Sequence, residues 1–382
     1  MDKKIEVQKW MKLDETSKVM SALGEARFVG GCVRDAIIGK HVNDIDICTP
    51  HKPDEVTKLL EEQGIKTIPT GIEHGTVTAV IGKHKYEITT LRKDVDCFGR
   101  HAEVEFTDNW EEDAARRDFT FNALSMDMEG NIHDYFGGLK DLEDKVVKFV
   151  GDAKTRIEED YLRVLRLFRF HSHYGEGDIL PENLDAVKAE IGGLESLSGE
   201  RIQVEMMKIL KAKNPAYVLK TMNDLKVIEA VSGGISFDIK KVEGLTKPID
   251  RLAAAISSKD IEKISDRWKL SNKDTQNLEN IHKCLDEISA GDTEAKQKSI
   301  LRKYGKDIFV SSASIASLKE HLDLASSWEI PELPVRGKDV VALGVEEGKK
   351  IGELLSKAEE LWESKDYKPL KKELIDYIKE LA

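Results

Sequence analysis

Residues 27–47 read RFVGGCVRDAIIGKHVNDIDI, and this stretch decides the fold of the first part of the chain. An apolar strand ends in a glycine pair, a helix start with an arginine follows, and a second strand carries two aspartates. Glycines let backbone amides approach an anion, and an arginine can donate in a fork to phosphate oxygens. The stretch therefore predicts a strand-helix-strand unit with a phosphate grip formed by Gly30, Gly31 and Arg34.

An ordinary turn before a helix is the alternative explanation of the glycine pair. The stretch lacks the GK[ST] of a P-loop and the third glycine of a dinucleotide fold. The order within the unit, a glycine-arginine turn and then two aspartates on the second strand, favours a metal-binding role for those aspartates over an isolated polar edge.

The side chains of Asp44 and Asp46 point to the same face of the predicted strand, because side chains alternate along a strand. Mg²⁺ takes oxygen ligands and commonly uses one or two carboxylates with substrate phosphates. Glu87, in the strand YEITTL, is a candidate third carboxylate for attack by a hydroxyl. A solvent-facing polar edge is the alternative for the aspartates, and a surface glutamate is the alternative for Glu87.

Two further segments concentrate arginines beside acids. In DAARRDFTFNAL (113–124), Arg117, Asp118 and Asn122 fit either a capped, solvated charge pair or a phosphate contact. In RIEEDYLRVLRLFRF (156–170), polar residues spaced by three form one stripe on a single predicted helix. The stripe consists of Asp160, Arg163, Arg166 and Arg169. If a nucleotide is the ligand, Asp160 and Arg163 can bond a base edge, and the other two arginines can hold the triphosphate.

The whole chain limits these interpretations. With 382 residues, two to four folding units are expected. The net charge of −12 disfavours a nonspecific nucleic-acid binder, so any RNA contact needs a local patch. The absence of a ~20-residue apolar stretch and the polar N-terminus predict a cytoplasmic protein with no membrane span. The cysteines lack a CxxC pair and are predicted to be reduced thiols: Cys32, Cys48, Cys97 and Cys284.

The organisation changes near residue 150. Before it, β-branched runs alternate with helical segments, and Thr76 to Ile81 with Tyr86 to Leu91 predicts a hairpin across Gly82 and Lys83. After it, helical periodicity dominates. Residues 92–113 are polar and weakly periodic, which predicts a long, partly mobile loop.

These motifs resemble those of class II CCA-adding enzymes and bacterial poly(A) polymerases of the DNA polymerase β-like nucleotidyltransferase superfamily. The residues of these motifs are most similar to those of the alphaproteobacterial and mitochondrial branch of CCA-adding enzymes. The motifs occur in the family's order and cover roughly residues 27–210: GGCVRD, DID, EITTLR, RRDFTFNAL, EEDYLRVLRLFRF and LSGERI. PVRGKDVVALGV (334–345) is similar to the family's tail.

The resemblance implies an α+β fold, with a mixed-sheet catalytic head followed by all-α modules. Head, neck, body and tail would span 1–150, 151–215, 216–325 and 326–382. It implies template-independent addition of CCA to the tRNA 3′ end from CTP and ATP with Mg²⁺ as the cofactor. Body and tail would contact the acceptor arm, with lysines as candidate contacts: Lys208, Lys211, Lys213, Lys368, Lys371 and Lys372.

The resemblance also implies roles for individual residues. Those matching Asp44 and Asp46 bind Mg²⁺, and those matching Asp160 and Arg163 select the base. Glu87 remains the candidate third catalytic carboxylate that the strand pattern indicates. The residues implied in nucleotide binding are Gly30, Gly31, Arg34, Arg117, Asp118, Asn122, Glu159, Asp160, Arg163, Arg166 and Arg169.

One departure keeps alternatives open. Where close relatives carry Asp-Gly-Arg in the loop linked to the switch from CTP to ATP, this chain has Phe98-Gly99-Arg100, and Asp94 or Asp96 would have to substitute. CC-only or A-only addition therefore remains an alternative, as does a poly(A) polymerase. A noncatalytic RNA-binding protein that kept the fold is the alternative from another class. The sequence leaves the oligomeric state open.

Overall fold

The computed structural model describes residues 3–71, 75–98, 101–346 and 348–382, and only the backbone of 94–98 and 101–104. The chain forms two compact units. The first comprises Met1–Ser236 with Asp266–Lys269, and the second comprises Phe237–Ser265 with Leu270–Ala382.

A seven-stranded mixed sheet forms the centre of the first unit, in the order β3-β4-β5-β2-β1-β8-β9. Its strands are β1 (Arg27–Val29), β2 (Ile45–Thr49), β3 (Lys66–Gly71), β4 (Thr76–Ile81), β5 (His84–Thr90), β8 (Ser125–Met126) and β9 (Ile132–His133). Strands β2 and β5 run parallel, and the other neighbours are antiparallel. The predicted hairpin is confirmed as β4 and β5, with Gly82 at φ +59° in the turn.

Three helices accompany these strands: α1 (Asp14–Leu23), α2 (Gly31–Ile37) and α3 (Pro53–Glu62). Their apolar sides share one core with the sheet, which includes Leu23, Phe28, Val33, Ile47, Leu60 and Tyr86. Because alternate residues of a strand point to opposite faces, the burial of Ile45 and Ile47 turns the intervening Asp46 away from this core.

The prediction of a long loop over residues 92–113 is wrong. Strands β6 (Arg92–Phe98) and β7 (His101–Phe106) form a two-stranded antiparallel sheet, and α4 (Trp110–Ala115) follows. One pair of opposite charges lies across the two strands, Lys93 and Glu105, with a separation of 3.1 Å. The strands read RKDVDCF and HAEVEF, in which charged residues interrupt the apolar alternation that usually indicates a strand. Gly99 and Arg100 lie outside the described residues.

Helices complete the first unit: α5 (Gly138–Glu143), α6 (Ala153–Glu159), α7 (Leu162–Tyr174), α8 (Pro181–Ala189), α9 (Gly199–Lys211), α10 (Ala216–Asp224) and α11 (Val227–Ser232). The single helix predicted to carry the arginine stripe is interrupted. Asp160 has an extended backbone (φ −154°, ψ 104°) between α6 and α7. Its Oδ1 accepts a hydrogen bond from the backbone amide of Leu162 at 3.1 Å. A helix start leaves such amides without intrahelical partners, which explains the break.

From residue 237 onward the chain is helical, as predicted. The helices are α12 (Pro248–Ala255), α13 (Ile261–Trp268), α14 (Asn272–Glu287), α15 (Glu294–Tyr304), α16 (Lys306–Ile315), α17 (Lys319–Ser327), α18 (Gly337–Val341), α19 (Lys349–Ser364) and α20 (Lys371–Leu381). One apolar cluster of the second unit centres on Phe309 and another on Trp362. Within the described residues, no helix has the length and apolar character that crossing a bilayer requires.

Candidate active site

Gly30 makes the turn from β1 into α2, as the sequence predicts. Its φ of +67° lies in the left-handed region, where a side chain is strained. A Cβ atom at Gly30 would also lie 3.1 Å from Nη1 of Arg117, and one at Gly31 would lie 3.7 Å from Nη2 of Arg34. The glycine pair therefore leaves room for two guanidinium groups beside the backbone.

The carboxylates of Asp46 and Glu87 occupy paired positions on the parallel strands β2 and β5. Burial and the neighbouring Glu87 carboxylate raise the pKa of Asp46 from 3.8 to about 6, and Arg117 opposes this rise. The charge of Asp44, which precedes β2 and is exposed, makes a smaller contribution to the same rise. These three acids, which we call the carboxylate edge, lie on or beside the central strands β2 and β5 of the sheet and gather negative charge that a cation would stabilise.

Arg116 and Arg117 share one buried acid, Asp113 of α4. Nη2 of Arg116 lies 2.8 Å from Oδ1 of Asp113, and Nη2 of Arg117 lies 3.0 Å from Oδ2. Burial alone would raise the pKa of Asp113, but the two arginines outweigh it and lower that pKa. The shared carboxylate stays ionised and holds both guanidinium groups.

A chain of hydrogen bonds joins α2 to α7. Nη1 of Arg34 donates to Oδ1 of Asn122 at 2.7 Å, and Nδ2 of Asn122 donates to Oδ1 of Asp118 at 2.9 Å. Nε of Arg166 donates to Oδ2 of Asp118 at 2.7 Å. Burial alone would raise the pKa of Asp118, but Arg166 and Asn122 lower it. The buried carboxylate therefore stays ionised and orients the groups on both sides.

The remaining members of the stripe also have acidic or basic partners. Arg163 contacts Glu159, and its Nη1 donates to the carbonyl of Arg156 at 2.8 Å. Nε of Arg169 lies 2.5 Å from Oε2 of Glu205 on α9. Oδ2 of Asp160 accepts from Nη2 of Arg201 at 2.7 Å. The repulsion expected among three neighbouring arginines is relieved by acids of the protein itself.

These side chains line one cleft of about 480 Å³ in the first unit, which we call the arginine cleft. Its walls present seven arginines and three aspartates, in a chain whose net charge is −12. The lining residues are Gly30, Gly31, Arg34, Asp46, Arg116, Arg117, Asp118, Asn122, Asp160, Leu162, Arg163, Arg166, Arg169, Phe170 and Arg201. Such a local cationic surface suits a polyanionic ligand.

The structure brings together most of the residues that the sequence singled out. Three of them, Asp44, Glu87 and Glu159, are outside the lining: the first two lie at the carboxylate edge, and Glu159 holds Arg163. Sequence reasoning assigned no role to four lining residues: Arg116, Leu162, Phe170 and Arg201. Arg116 belongs to the RRDF motif and Arg201 to the LSGERI motif. The sequence motifs therefore included both residues, although neither was predicted individually to belong to the site.

Comparison with known proteins identifies the family. A family described as Poly A polymerase head domain matches residues 26–148, and one described as Probable RNA and SrmB-binding site of polymerase A matches residues 178–232. The chain is 37% identical to the mitochondrial CCA tRNA nucleotidyltransferase 1 of Homo sapiens over 377 residues, covering 93% of this chain and 86% of the relative. The chain belongs to the CCA tRNA nucleotidyltransferase family.

Other members of the family agree in length and fold. The CCA-adding enzyme of Staphylococcus haemolyticus is 35% identical, over 82% of this chain and 81% of that protein. The crystal structure of the Bacillus stearothermophilus CCA-adding enzyme in complex with CTP superposes with a TM-score of 0.78. It is 27% identical and covers 95% of both chains. The predicted α+β class and the predicted resemblance to CCA-adding enzymes are confirmed, and the chain is a nucleotidyltransferase.

Proposed function

We propose that this chain adds CCA to the 3′ end of tRNA from CTP and ATP and releases pyrophosphate. The observation that carries the proposal is the arginine cleft opening beside Asp46, in a chain that matches CCA tRNA nucleotidyltransferases over nearly its whole length. A nucleoside triphosphate supplies the negative charge that seven arginines would bind, and a carboxylate edge beside its phosphates suits phosphoryl chemistry.

The arginines of the cleft have donors left for a triphosphate. Nη2 of Arg117 contacts Cys48 and Asp113, and among the described residues no acceptor occupies its Nη1 or Nε. Arg169 likewise uses Nε for Glu205. Because a guanidinium has five N–H donors, such groups can bind phosphate oxygens while their acidic partners keep them oriented.

Base selection is assigned to Asp160 and Arg163. Asp160 offers acceptors and Arg163 offers donors, which is what the Watson-Crick edges of cytosine and adenine need. Arg201 holds the carboxylate of Asp160 and Glu159 holds the guanidinium of Arg163. A pair of side chains fixed in this way replaces the template strand.

The carboxylate edge fits Mg²⁺ held by two carboxylates and the substrate phosphates. Among the described residues, no group of three or more His, Cys, Asp or Glu side chains could hold a metal ion. Asp46 and Asp44 are the proposed ligands. Burial, and to a smaller extent the Glu87 carboxylate, raises the pKa of Asp46, and a bound cation would favour its ionised form. When bound, the ion would supply Lewis-acid stabilisation of the attacking and leaving oxygens. Glu87 extends this edge.

The protein side chains then account for the rest of the reaction. Arg34, Arg117, Arg166 and Arg169 would hold the triphosphate so that its α-phosphate faces the incoming 3′-hydroxyl of the tRNA. Attack of the hydroxyl on the α-phosphate forms the new phosphodiester bond and breaks the bond between the α- and β-phosphates. The arginines that bound the triphosphate stabilise the charge of the departing pyrophosphate. No group of the protein needs to form a covalent intermediate.

The division into head (1–150), neck (151–215), body (216–325) and tail (326–382) stays a prediction. So do the lysine contacts to the acceptor arm, of which Lys371 is already paired with Asp339 at 2.7 Å. The cytoplasmic location also stays a prediction. The side chains of Phe98, Asp94 and Asp96 lie outside the described residues, so the alternative of partial CCA synthesis is decided by experiment.

The test incubates the protein with Mg²⁺ and labelled tRNA transcripts ending in the discriminator base, in C and in CC, with CTP, ATP or both. Growth by three nucleotides that stops at CCA is the expected result. Stopping at CC would mean a CC-adding enzyme, and growth of the CC transcript alone would mean an A-adding enzyme. Long A tails would mean a poly(A) polymerase. No growth of any transcript, with intact tRNA binding, would overturn the proposal in favour of a noncatalytic protein.

A further inference from the structure

Tyr174, the last residue of α7, lies against a cleft arginine although it does not line the cleft. The Arg34 guanidinium carbon is 4.2 Å from the centre of the Tyr174 ring and 5.3 Å from that of Phe170. Nζ of Lys40 is 4.1 Å from the Tyr174 ring centre. An aromatic face attracts cations, and the attraction grows when the cation is shielded from water. The Arg34 side chain is only 9% exposed.

A hydrogen-bond junction at Asp35 connects the same two side chains. Oδ1 of Asp35 accepts from Nε of Arg34 at 3.0 Å and from the Tyr174 hydroxyl at 3.0 Å. Burial raises the pKa of Tyr174, with Asp35 adding to the rise, so the hydroxyl stays protonated and remains a donor. Tyr174 therefore contacts Arg34 directly through its ring and indirectly through Asp35.

These contacts leave one side of the Arg34 guanidinium available to a ligand. Nε is bound to Asp35 and Nη1 to Asn122, whereas none of the described residues accepts a hydrogen bond from Nη2. Nη2 is the atom nearest to a Cβ built on Gly31, and both residues line the cleft. The aromatic ring and two acceptors thus fix the group with Nη2 beside the glycine turn.

We propose that Tyr174 is a positioning residue for the nucleotide: it holds Arg34 in the orientation that binds the triphosphate. This inference rests on the proposed function of the cleft. Because the same contact would be made in the ground state and the transition state, losing it weakens nucleotide binding more than it slows the chemical step.

The experiment is a double-mutant cycle on tRNA ending in CC and in the discriminator base, measuring kcat and KM for ATP and CTP. Tyr174→Leu removes the ring and the hydroxyl. It should raise KM for both nucleotides roughly tenfold and change kcat by less than about twofold, as expected for a shielded cation–π contact. Tyr174→Phe keeps the ring and should raise KM only about threefold, since one hydrogen bond is lost. The double variant Arg34→Ala with Tyr174→Leu should match Arg34→Ala alone.

Several controls separate positioning from folding. Tyr304→Phe removes a comparable hydroxyl that donates to Glu287 at 2.7 Å beside Lys303, and it should leave KM unchanged. Thermal unfolding is recorded for every variant. If Tyr174→Leu does not fold, Tyr174→Phe and Asp35→Asn replace it in the double-mutant cycle with Arg34→Ala, because both keep the shape of the original side chain.

Direct titration with labelled CTP distinguishes failure of this inference from failure of the proposed function. Additive effects of Arg34→Ala and Tyr174→Leu, or an unchanged KM in folded Tyr174→Leu, would overturn the positioning role. If the parent protein binds CTP but incorporates no nucleotide, the proposed function is wrong. The positioning role of Tyr174 is then tested by the same double-mutant cycle, measured as CTP dissociation constants. If the parent protein binds no CTP, both fail.

Discussion

The arginine cleft of the first unit and a charge cluster of the second unit both combine cationic and acidic side chains. Cations outnumber acids in the lining of the cleft, and acids outnumber cations in the cluster. In the second unit, the cluster has three cations: Lys298 and Arg302 of α15, and Lys368. They face four acids, Glu294, Glu359, Glu363 and Asp366, with Lys298 2.8 Å from Glu294 and 2.9 Å from Asp366. In the cleft, seven arginines line the wall with three aspartates.

The proportion decides what each region can do. In the second unit, acids outnumber the cations of the cluster. Arg302 also packs over the Trp362 ring at 5.3 Å, so the cluster links α15 to α19. In the cleft, partner acids such as Asp113 and Glu205 lie outside the lining and hold the arginines in place. The presence of an ion pair is therefore weak evidence of function. The net charge of the residues that line a cleft is a better indication of the ligand it binds.

The largest effect is expected at the carboxylate edge of the cleft. Asp46→Asn should lower single-turnover nucleotide incorporation by on the order of 10³, because one preorganised charge at the reacting phosphate is removed. Binding of tRNA, measured by filter retention, should be retained. The double variant Asp44→Ala with Asp46→Ala should abolish incorporation, and retained activity would contradict the metal assignment. Glu62→Gln, an exposed acid on α3, is the control.

A matched pair of arginine variants tests the comparison directly. Arg117→Ala should raise KM for nucleotides roughly 30-fold, the value of a hydrogen bond to a charged group, and should hardly change stability because Arg116 still pairs with Asp113. Arg302→Ala should leave KM unchanged and lower the unfolding temperature by roughly 2–5 °C. Kinetics and thermal unfolding are measured on both. A large KM effect from Arg302→Ala would remove the distinction between the two regions.

A smaller effect is expected for base selection. Arg163→Ala should reduce the preference between CTP and ATP at each step by roughly tenfold, because a donor to the base edge is lost while the triphosphate contacts stay. The ratio of kcat/KM values on primers ending in C and in CC measures it. Arg336→Ala, an exposed arginine of the second unit, should leave that ratio unchanged. Equal slowing with both nucleotides would show that Arg163 has no role in choosing the base.

The smallest effect concerns a structural carboxylate of the second unit. Burial alone would raise the pKa of Asp292, but hydrogen bonds from Lys296 and Ser289 outweigh it and hold the pKa far below its ordinary value. A lowered pKa contributes stability above about pH 4, and this contribution is lost as the pH falls through the folded-state value. Asp292→Asn should therefore lower the unfolding temperature by roughly 2–4 °C at pH 7.

The difference between Asp292→Asn and the parent protein should shrink as the pH falls below about 4. Thermal unfolding from pH 7 to pH 3 measures it. Asp376→Asn, an exposed residue 3.4 Å from Lys379, should show no such dependence. A difference that grows on acidification would contradict the assigned direction of the Asp292 pKa.

Features governed by neighbouring residues were predictable from the sequence. The glycine turn and the strand carrying Asp46 follow from local chemistry and from alternation along the strand. The hairpin of β6 and β7 was not predicted because its strands, RKDVDCF and HAEVEF, carry charged residues that obscure an apolar alternation. The interruption at Asp160 was missed because the three-residue spacing is the same whether or not the helix begins after it.

By itself, the sequence determined the order of chemical groups: a glycine turn, carboxylates on a strand, and arginines spaced by three. Tertiary structure alone decided which acid meets which arginine where the two lie far apart in the chain. Asp118 and Arg166 are 48 residues apart, and Arg169 and Glu205 are 36 apart. Packing brings these pairs together, since no local rule relates residues on separate elements. It also placed Tyr174 against Arg34, because a ring at the end of one helix reaches an arginine of another only after both helices have packed.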